Sequence, residues 1–334
     1  MKIKSLLLIT FFAASLNAVA QDDLGNIIQG SVKDAEYLMK GYTAPILKIF
    51  GTGLNQGWYN TGKAHKIAGF DLTVTVSPIY FKSQDLVYYV DNTKLSSNIQ
   101  LVNSSNVPTS GNVPTALGSD DVTPRYRVVE NGVTTYVSGP SGLGVKAALK
   151  INALPMPMVQ FGVGLPKGTD LKLRFFPKTN FGDNNSSANL LGIGVMHDVK
   201  QWIPGIKNLP FDLSGFVGFT KLKVDVGIDN SKPDQRGILE ANATTIQGII
   251  SKKLSVLTVY GALGYNIAKT TVALKGKYDF SNGSITDPLT LSETVNGFRA
   301  TGGLRLKLAV IAFHADYTIQ KYNALTVGFG INIR

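Results

Sequence analysis

The sequence predicts an all-β protein, a transmembrane antiparallel β-barrel of about twelve strands with a helical hatch at its amino-terminal end. Three observations carry this expectation. Apolar and polar residues alternate along stretch after stretch, many about ten residues long, where ordinary strands run to about five or six. Charged residues are only 16% of the 334 and hydrophobic ones 44%, yet no apolar run is long enough for a transmembrane helix. Residues 1–20 are laid out as an export signal.

In that signal, Lys2 and Lys4 precede the apolar stretch Leu6 to Ala14, and Ala18-Val19-Ala20 forms a small-x-small cleavage site before Gln21. A buried amphipathic helix is the alternative, and the basic–apolar–small order argues against it. Removing two lysines lowers the formal net charge from +11 to +9. A basic exported chain suits an anionic partner such as a lipopolysaccharide head group, a phospholipid surface or an acidic solute. Nucleic acid is not expected, because no dense Lys/Arg cluster is present. The chain has no Cys, which excludes disulfides, a lipidated amino-terminal Cys and Cys-ligated metals.

Residues 21–66 read as the hatch. Val32, Ala35, Leu38, Met39, Tyr42, Ile46, Ile49 and Phe50 recur at helical spacing, with Asp34 and Glu36 in the first turn. Pro45 is expected to kink or end this helix. "GTGLNQGWYNTGKAH" (51–65) follows. A phosphate-cradling loop would follow a strand, open a helix and end in Gly-Lys-Ser/Thr, whereas this stretch follows a helix and leads into a strand. The expectation is therefore a compact segment tucked into the periplasmic mouth. Leu38, Tyr42 and Phe50 belong to it, Gly51, Gly53 and Gly57 permit close backbone packing, and Trp58 and Tyr59 anchor it. A helix on the membrane surface or a small periplasmic cap is the alternative.

Residues 67–334 read as the wall. In its first strand, 67–80, Phe70, Leu72, Val74 and Val76 alternate with Asp71, Thr73, Thr75 and Ser77. Further strands are expected at 143–151, 157–165, 168–177, 188–198, 211–226, 239–250, 254–280, 295–308 and 310–320. In the last, 323–334, Leu325, Val327, Phe329, Ile331 and Ile333 oppose Thr326, Gly328, Gly330, Asn332 and Arg334. Even parity then requires one more strand within 82–142. There 91–124 reads as polar loop, part of a long loop over 91–142, and 125–138 as a hairpin about Asn131-Gly132. Both hairpin arms in the wall would make about fourteen strands. A β-sandwich would solvate the polar face. Strand length, the small residues on that face and the export signal favour the barrel. The segment 197–211 places Trp202 at the lipid–water boundary.

"GLNQGWYNTGKAHKIAGFDLTVTV" (53–76), "VMHDVKQWIPGIKNLPFDLSGF" (195–216) and "FHADYTIQKYNALTVGFGINIR" (313–334) resemble an uncharacterised family of Gram-negative outer-membrane barrels. That family is similar to the FadL-type transporters of long-chain fatty acids and other hydrophobic compounds. The resemblance implies an outer-membrane setting among lipid and lipopolysaccharide, insertion by the barrel-assembly machinery, an amino-terminal hatch and a lateral exit for a hydrophobic, fatty-acid-like ligand. The Asn-Pro-Ala start of the FadL hatch is absent, so no hatch or ligand residue is carried over. The chain ends in Arg334 rather than an aromatic residue, with Phe329 keeping an aromatic on the lipid face of that strand.

Within the wall, His314 and Asp316 share a lumen face, and Arg299, Arg305 and Lys307 come from the preceding strand. Lys172 and Arg174 extend the basic lumen, together with Lys146, Lys150 and Arg334. Three readings fit: an anion site for a ligand carboxylate, an ion-pair network that keeps the interior packed, and a lipid hydrolase centred on His314. The last needs a nucleophile within hydrogen-bond reach, and no nucleophile elbow or triad spacing is visible, so no enzyme is expected. His65, His197 and His314 lie far apart with no metal-ligand spacing, and no cofactor is expected. His65 beside Lys63 and Lys66 reads as a solvated or interfacial basic cluster. The expected role is passive passage of a hydrophobic or amphipathic anion. The alternative is a structural or adhesion barrel whose 82–142 loop binds a partner.

Overall fold

A computed structural model describes residues 31–130, 132–182, 185–280 and 283–333. The expected export signal, residues 21–30 of the expected hatch, and Arg334 lie outside the described residues. Helix α1 (Val32–Leu54) is followed by an irregular strap, 55–66, and strand β1 (Phe70–Tyr80). An insertion then carries β2 (Val87–Val90), β3 (Ile99–Val102), β4 (Gly111–Pro114), β5 (Arg125–Glu130), β6 (Val133–Ser138) and a short helix, α2 (Val145–Leu149). The wall resumes with β7 (Ala153–Leu165), β8 (Thr169–Phe181), β9 (Ser186–Asp198), β10 (Asp212–Asp229), β11 (Lys232–Leu254) and β12 (Leu257–Lys275). A hairpin of β13 (Lys277–Phe280) and β14 (Gly283–Thr286) precedes β15 (Leu289–Leu308), β16 (Ile311–Ile319) and β17 (Ala324–Ile333).

Strand β1 pairs antiparallel with β17 on one side and β7 on the other. This closes a sheet of ten strands in the order β1-β17-β16-β15-β12-β11-β10-β9-β8-β7. The sequence expectation was about twelve. The alternation at 143–151 is too short to separate strand from helix, and it folds as α2, between Gly144 and Lys150 in the left-handed region. The hairpin at 125–138 pairs with β3 instead of joining the wall. Lys146 and Lys150 sit exposed at α2, outside the lumen where they were expected.

One end of the barrel carries tight turns at 166–168, 255–256 and 309–310 and one longer connection, 199–211. Outward-facing apolar side chains crowd toward it, among them Leu72 and Val76, Ile193 and Val195, Leu304, Leu306 and Leu308, and Phe329 and Ile331. The other end carries the long ends of β10, β11, β12 and β15 and the folded insertion. Short turns mark the periplasmic side and long connections the outer one. Near the periplasmic rim Phe70 stacks on Phe161 at 6.2 Å, and Trp202 is exposed with its Nε1–H donated to His197 Nε2 at 2.8 Å. Toward the outer rim Tyr265 meets Phe298 edge to face at 5.1 Å. Aromatic girdles around an apolar band are what a lipid-facing barrel surface requires.

Helix α1 lies inside the barrel with its amino-terminal end at the outer mouth. Ser31 caps it by accepting from Asp34 N–H, and Asp34 accepts from the Ser96 amide and hydroxyl in the insertion. Ala35 and Leu38 pack under the insertion against Val90, Leu95 and Tyr126. Burial pushes the Tyr126 hydroxyl up to about 12, so it stays a neutral group at physiological pH. The region expected as a polar loop, 91–142, is thus a folded cap over the helix. Farther down, Ile46, Ile49 and Phe50 belong to the same apolar cluster as Met156, Leu239, Leu291 and Val295.

Only the strap end of the expected hatch therefore reaches the periplasmic mouth, where His65 meets Asp170 and Gly62 meets Ser214. Residues 31–66 traverse the lumen from the outer end to the periplasmic end. From Tyr42 onward every residue of the helix is buried or half-buried in the outer half of the lumen, lined by Ala, Leu, Val and Met, while Val32, Lys33, Glu36 and Lys40 are exposed near its amino-terminal end. Pro45 does not end it, because Tyr42, Ile46 and Leu47 on either side are all buried and hold the turn. The helix also continues through Gly51 and Gly53, where loop was expected.

Candidate functional site: the two-level lumen and its lateral seam

The lumen has two levels. The outer one is apolar and holds α1. The lower one is polar and holds the strap 55–66 among buried Arg174, Arg299, Arg305, Lys172, Asp71, Asp170, Asp316, His65 and His314. The change occurs where α1 ends, and two guanidinium groups meet it there. Arg174 donates from Nη1 to Leu54 O at 2.9 Å, from Nη2 to Gln56 O at 2.5 Å and from Nε to Gln160 Oε1 at 3.2 Å. Its Cζ stands 3.6 Å from the centroid of the Trp58 ring. Arg299 donates from Nη1 to Asn55 O at 2.9 Å and from Nη2 to Gln56 Oε1 at 3.0 Å. Cations suit a helix carboxyl terminus, where unpaired carbonyls concentrate partial negative charge.

The glycines of the opening stretch sit where side chains have no room. A Cβ at Gly51 would stand 2.9 Å from Ala268 Cβ, and one at Gly53 2.5 Å from Met156 Cγ. Gly57, at φ +70°, makes the left-handed turn that sends the chain toward the periplasm. Trp58 then packs on Phe216 at 5.5 Å, and Tyr59 donates its hydroxyl to Gln247 Oε1 at 2.5 Å. Leu38, Tyr42 and Phe50 are all buried, and Tyr42 Oη donates to Ser141 O at 2.9 Å.

The remaining basic residues separate into groups. Lys172 lies 3.7 Å from Asp71 and 3.9 Å from Asp170. His65 joins them, with Nδ1 2.9 Å from Asp170 and Nε2 2.7 Å from Asn332 Nδ2. It is buried, not solvated as its lysine neighbours suggested, because two carboxylates from different strands converge on it. Asp316 accepts from the Tyr260 hydroxyl at 2.9 Å. His314 faces Arg305 in register, and neither of its ring nitrogens has a hydrogen-bond partner among the described residues. Lys307 donates to Asn332 Oδ1 at 2.8 Å near the periplasmic rim. Among the described residues no group of His, Asp and Glu has a metal-binding arrangement.

Sequence reasoning missed a seam in the wall. Strands β7 and β8 pair only from Phe161↔Leu173 down to Leu165↔Thr169, so their outer portions part company. Backbone direction identifies what lines the parting. Gly164 accepts from Ala68 N–H and donates to Gly69 O, so even-numbered residues of β7 address β1 and odd-numbered ones address β8. Asp198 N–H donates to Gly168 O, so odd-numbered residues of β8 address β7. Pro155 and Pro157 are odd-numbered, and each removes an N–H that would otherwise point into the seam. Pro177 lies within a bulge between Phe176 and Thr179, which breaks the alternation of β8 beside the parting. Val159 and Phe175 flank it on the lipid side, and buried Met156, Met158 and Phe181 back it inside. Prolines inside strand-patterned stretches were the available signal.

No curated protein sequence shows significant similarity to this chain. Among solved structures, the chain is similar to the translocator domain of the autotransporter NalP from Neisseria meningitidis at 11% identity, over 95% of this chain and 99% of that one, with a TM-score of 0.31. It is similar to Ail, the attachment invasion locus protein of Yersinia pestis, at 10% identity over 80% and 99% of the two chains, with a TM-score of 0.27. Similarity to the toluene transporter TodX of Pseudomonas putida is 8% over 82% and 74%, with a TM-score of 0.24. At the level of sequence the match is nearly complete: residues 1–333 match the family of unknown function DUF6588, and the chain belongs to that family.

Proposed function

We propose that the protein is an outer-membrane passage protein for hydrophobic or amphipathic compounds, of FadL-like type and without enzymatic chemistry, which leave the barrel sideways through the seam between β7 and β8. The observation that carries this reading is the loss of pairing above Phe161 and Leu173, at the level where the lumen turns apolar. Unpaired backbone facing hydrocarbon costs several kcal/mol per group, so a barrel wall closes fully unless opening serves a purpose. Pro155 and Pro157 remove donors from this opening and leave fewer unpaired groups there. Helix α1 is the resident occupant of the apolar level and must yield for a ligand to pass.

A structural or adhesion barrel is the second reading. It is favoured by the filling of the lumen from end to end and by the folded cap on the outer mouth.

The chain has no cysteine, so a bridge can be placed at will. Val159 and Phe175 continue the β7–β8 register across the seam. The double variant Val159→Cys, Phe175→Cys, bridged by a cleavable bis-maleimide, is expected to lose uptake of a fluorescent fatty acid into proteoliposomes and to regain it on cleavage. Unchanged uptake with the bridge in place would exclude the seam as the route. Absence of uptake by the unmodified protein would remove the passage role and leave the structural or adhesion reading.

A further inference from the structure

We infer that Arg174 and Arg299 form a binding site for the carboxylate of a long-chain amphiphile, and that the last turn of α1 occupies this site at rest as a built-in mimic of that carboxylate. The inference rests on the passage reading and adds to it a ligand head group and a means of closure.

Both guanidiniums are buried, Arg174 at 0% exposure and Arg299 at 4%. Neither lies within ion-pair distance of a carboxylate among the described residues. Asp316 acts on Arg299 electrostatically from beyond that distance, and Arg174 faces the like charge of Arg299. Buried cations with so little counter-charge are disfavoured. The carbonyls of Leu54, Asn55 and Gln56 and the side-chain Oε1 of Gln56, at the end of α1, face both of them. The wall adds Gln160 Oε1 for Arg174 and the Thr301 and Thr318 hydroxyls for Arg299. The carbonyls at the helix end carry the negative end of its dipole. A carboxylate offers the same guanidinium forks two oxygens with a full charge, and Arg–carboxylate pairing is the stronger, frequently bidentate interaction.

The position gives the ligand a direction. Gln160 and Arg174 are the first residues above the last paired positions of β7 and β8, so Arg174 stands at the foot of the seam, and Arg299 reaches the same end of α1 from β15. Above them lie Met156, Met158 and the apolar outer level. An amphiphile held by its head at Arg174 and Arg299 has its tail along that lining and toward the opening. The segment that must shift to admit the head is 51–57, which carries Gly51, Gly53 and Gly57, residues of low helix propensity. The lower level supports the same sign: buried Arg174, Arg299, Arg305 and Lys172 outnumber buried Asp71, Asp170 and Asp316.

The full chain reports on its own site. It has two tryptophans, and Trp202→Phe leaves Trp58, whose ring lies on Arg174, as the sole emitter. In non-ionic detergent, at a pH of about 8 where carboxylates are ionised, laurate below its micelle-forming concentration is expected to shift Trp58 emission saturably. Dodecanol, with the same tail, and acetate, with the head alone, are expected not to saturate over that range. Arg299→Gln is expected to weaken laurate binding roughly tenfold or more. Heat-modifiable mobility on a detergent gel certifies that the variant is folded. Arg299→Lys, which keeps the charge and loses the fork, serves if Arg299→Gln is not, and is expected to weaken laurate binding as well. Equal binding of laurate and dodecanol, or wild-type laurate affinity in a folded arginine variant, overturns the inference. Seam-dependent uptake with no arginine dependence would remove this site and leave the passage role. Arginine-dependent laurate binding without uptake would do the reverse.

Discussion

Trp58 is held in a slot whose walls are glycine. A Cβ built at Gly218 would lie 2.9 Å from both Phe216 and Trp58, and one at Gly194 2.9 Å from Phe216 and 3.0 Å from Trp58. Gly218→Val is therefore expected to lower stability by about 1–3 kcal/mol through overpacking. It should also unseat Trp58 from Arg174 and redden its emission in a Trp202→Phe background. Wild-type emission and an unchanged unfolding midpoint would show that the slot has slack. At this scale the sequence was partly legible. Trp58 and Tyr59 stood out as large anchors beside close-packing glycines, and the lumen bases could be placed on one face by alternation. What they touch was not legible: Arg174 meets Leu54 and Gln56 across more than a hundred residues of chain, and the carboxylates around His65 come from two separate strands. No local spacing encodes such meetings.

Among the elements, the long strands were the most readable, because lipid on one side and lumen on the other enforce a period of two over many residues. Short alternations carry less information, which is why 143–151 read as strand and folds as helix, and why the hairpin at 125–138 revealed its turn but not its partner. The end of α1 was misplaced for a related reason: propensity marks Pro45 and Gly51 as breakers, while burial on all sides carries the helix through both. The seam is an element-scale feature with an element-scale test. Replacing Pro155 and Pro157 together with Val restores two N–H donors facing across the gap. The double variant is expected to zip β7 to β8, raising the temperature at which the barrel unfolds on a detergent gel and slowing fatty-acid uptake. Unfolding and uptake both at wild-type values would mean that something other than the missing donors keeps the strands apart.

For the molecule as a whole, the ten-stranded wall and its contents have to be considered together. Barrels of about eight strands fill their interior with wall side chains alone. Two further strands add width, and here a helix takes it up, fitting because the wall around it presents Ala188, Ala241, Ala243 and Ala268 instead of larger residues. Below the helix the strap is fastened by Ser214 Oγ to Gly62 O at 2.6 Å and by His65 to Asp170. The buried helix and strap occupy the lumen along its length, while the seam lies in the lipid-facing wall. The two features together require that ions and apolar compounds behave differently. In planar bilayers the protein is expected to show no steady ion conductance under conditions where proteoliposomes take up fatty acid. A variant lacking residues 31–57, if it retains heat-modifiable mobility, is expected to conduct. Steady conductance by the full chain would mean that the plug leaves the lumen at rest, and the side exit would then no longer be needed to account for passage.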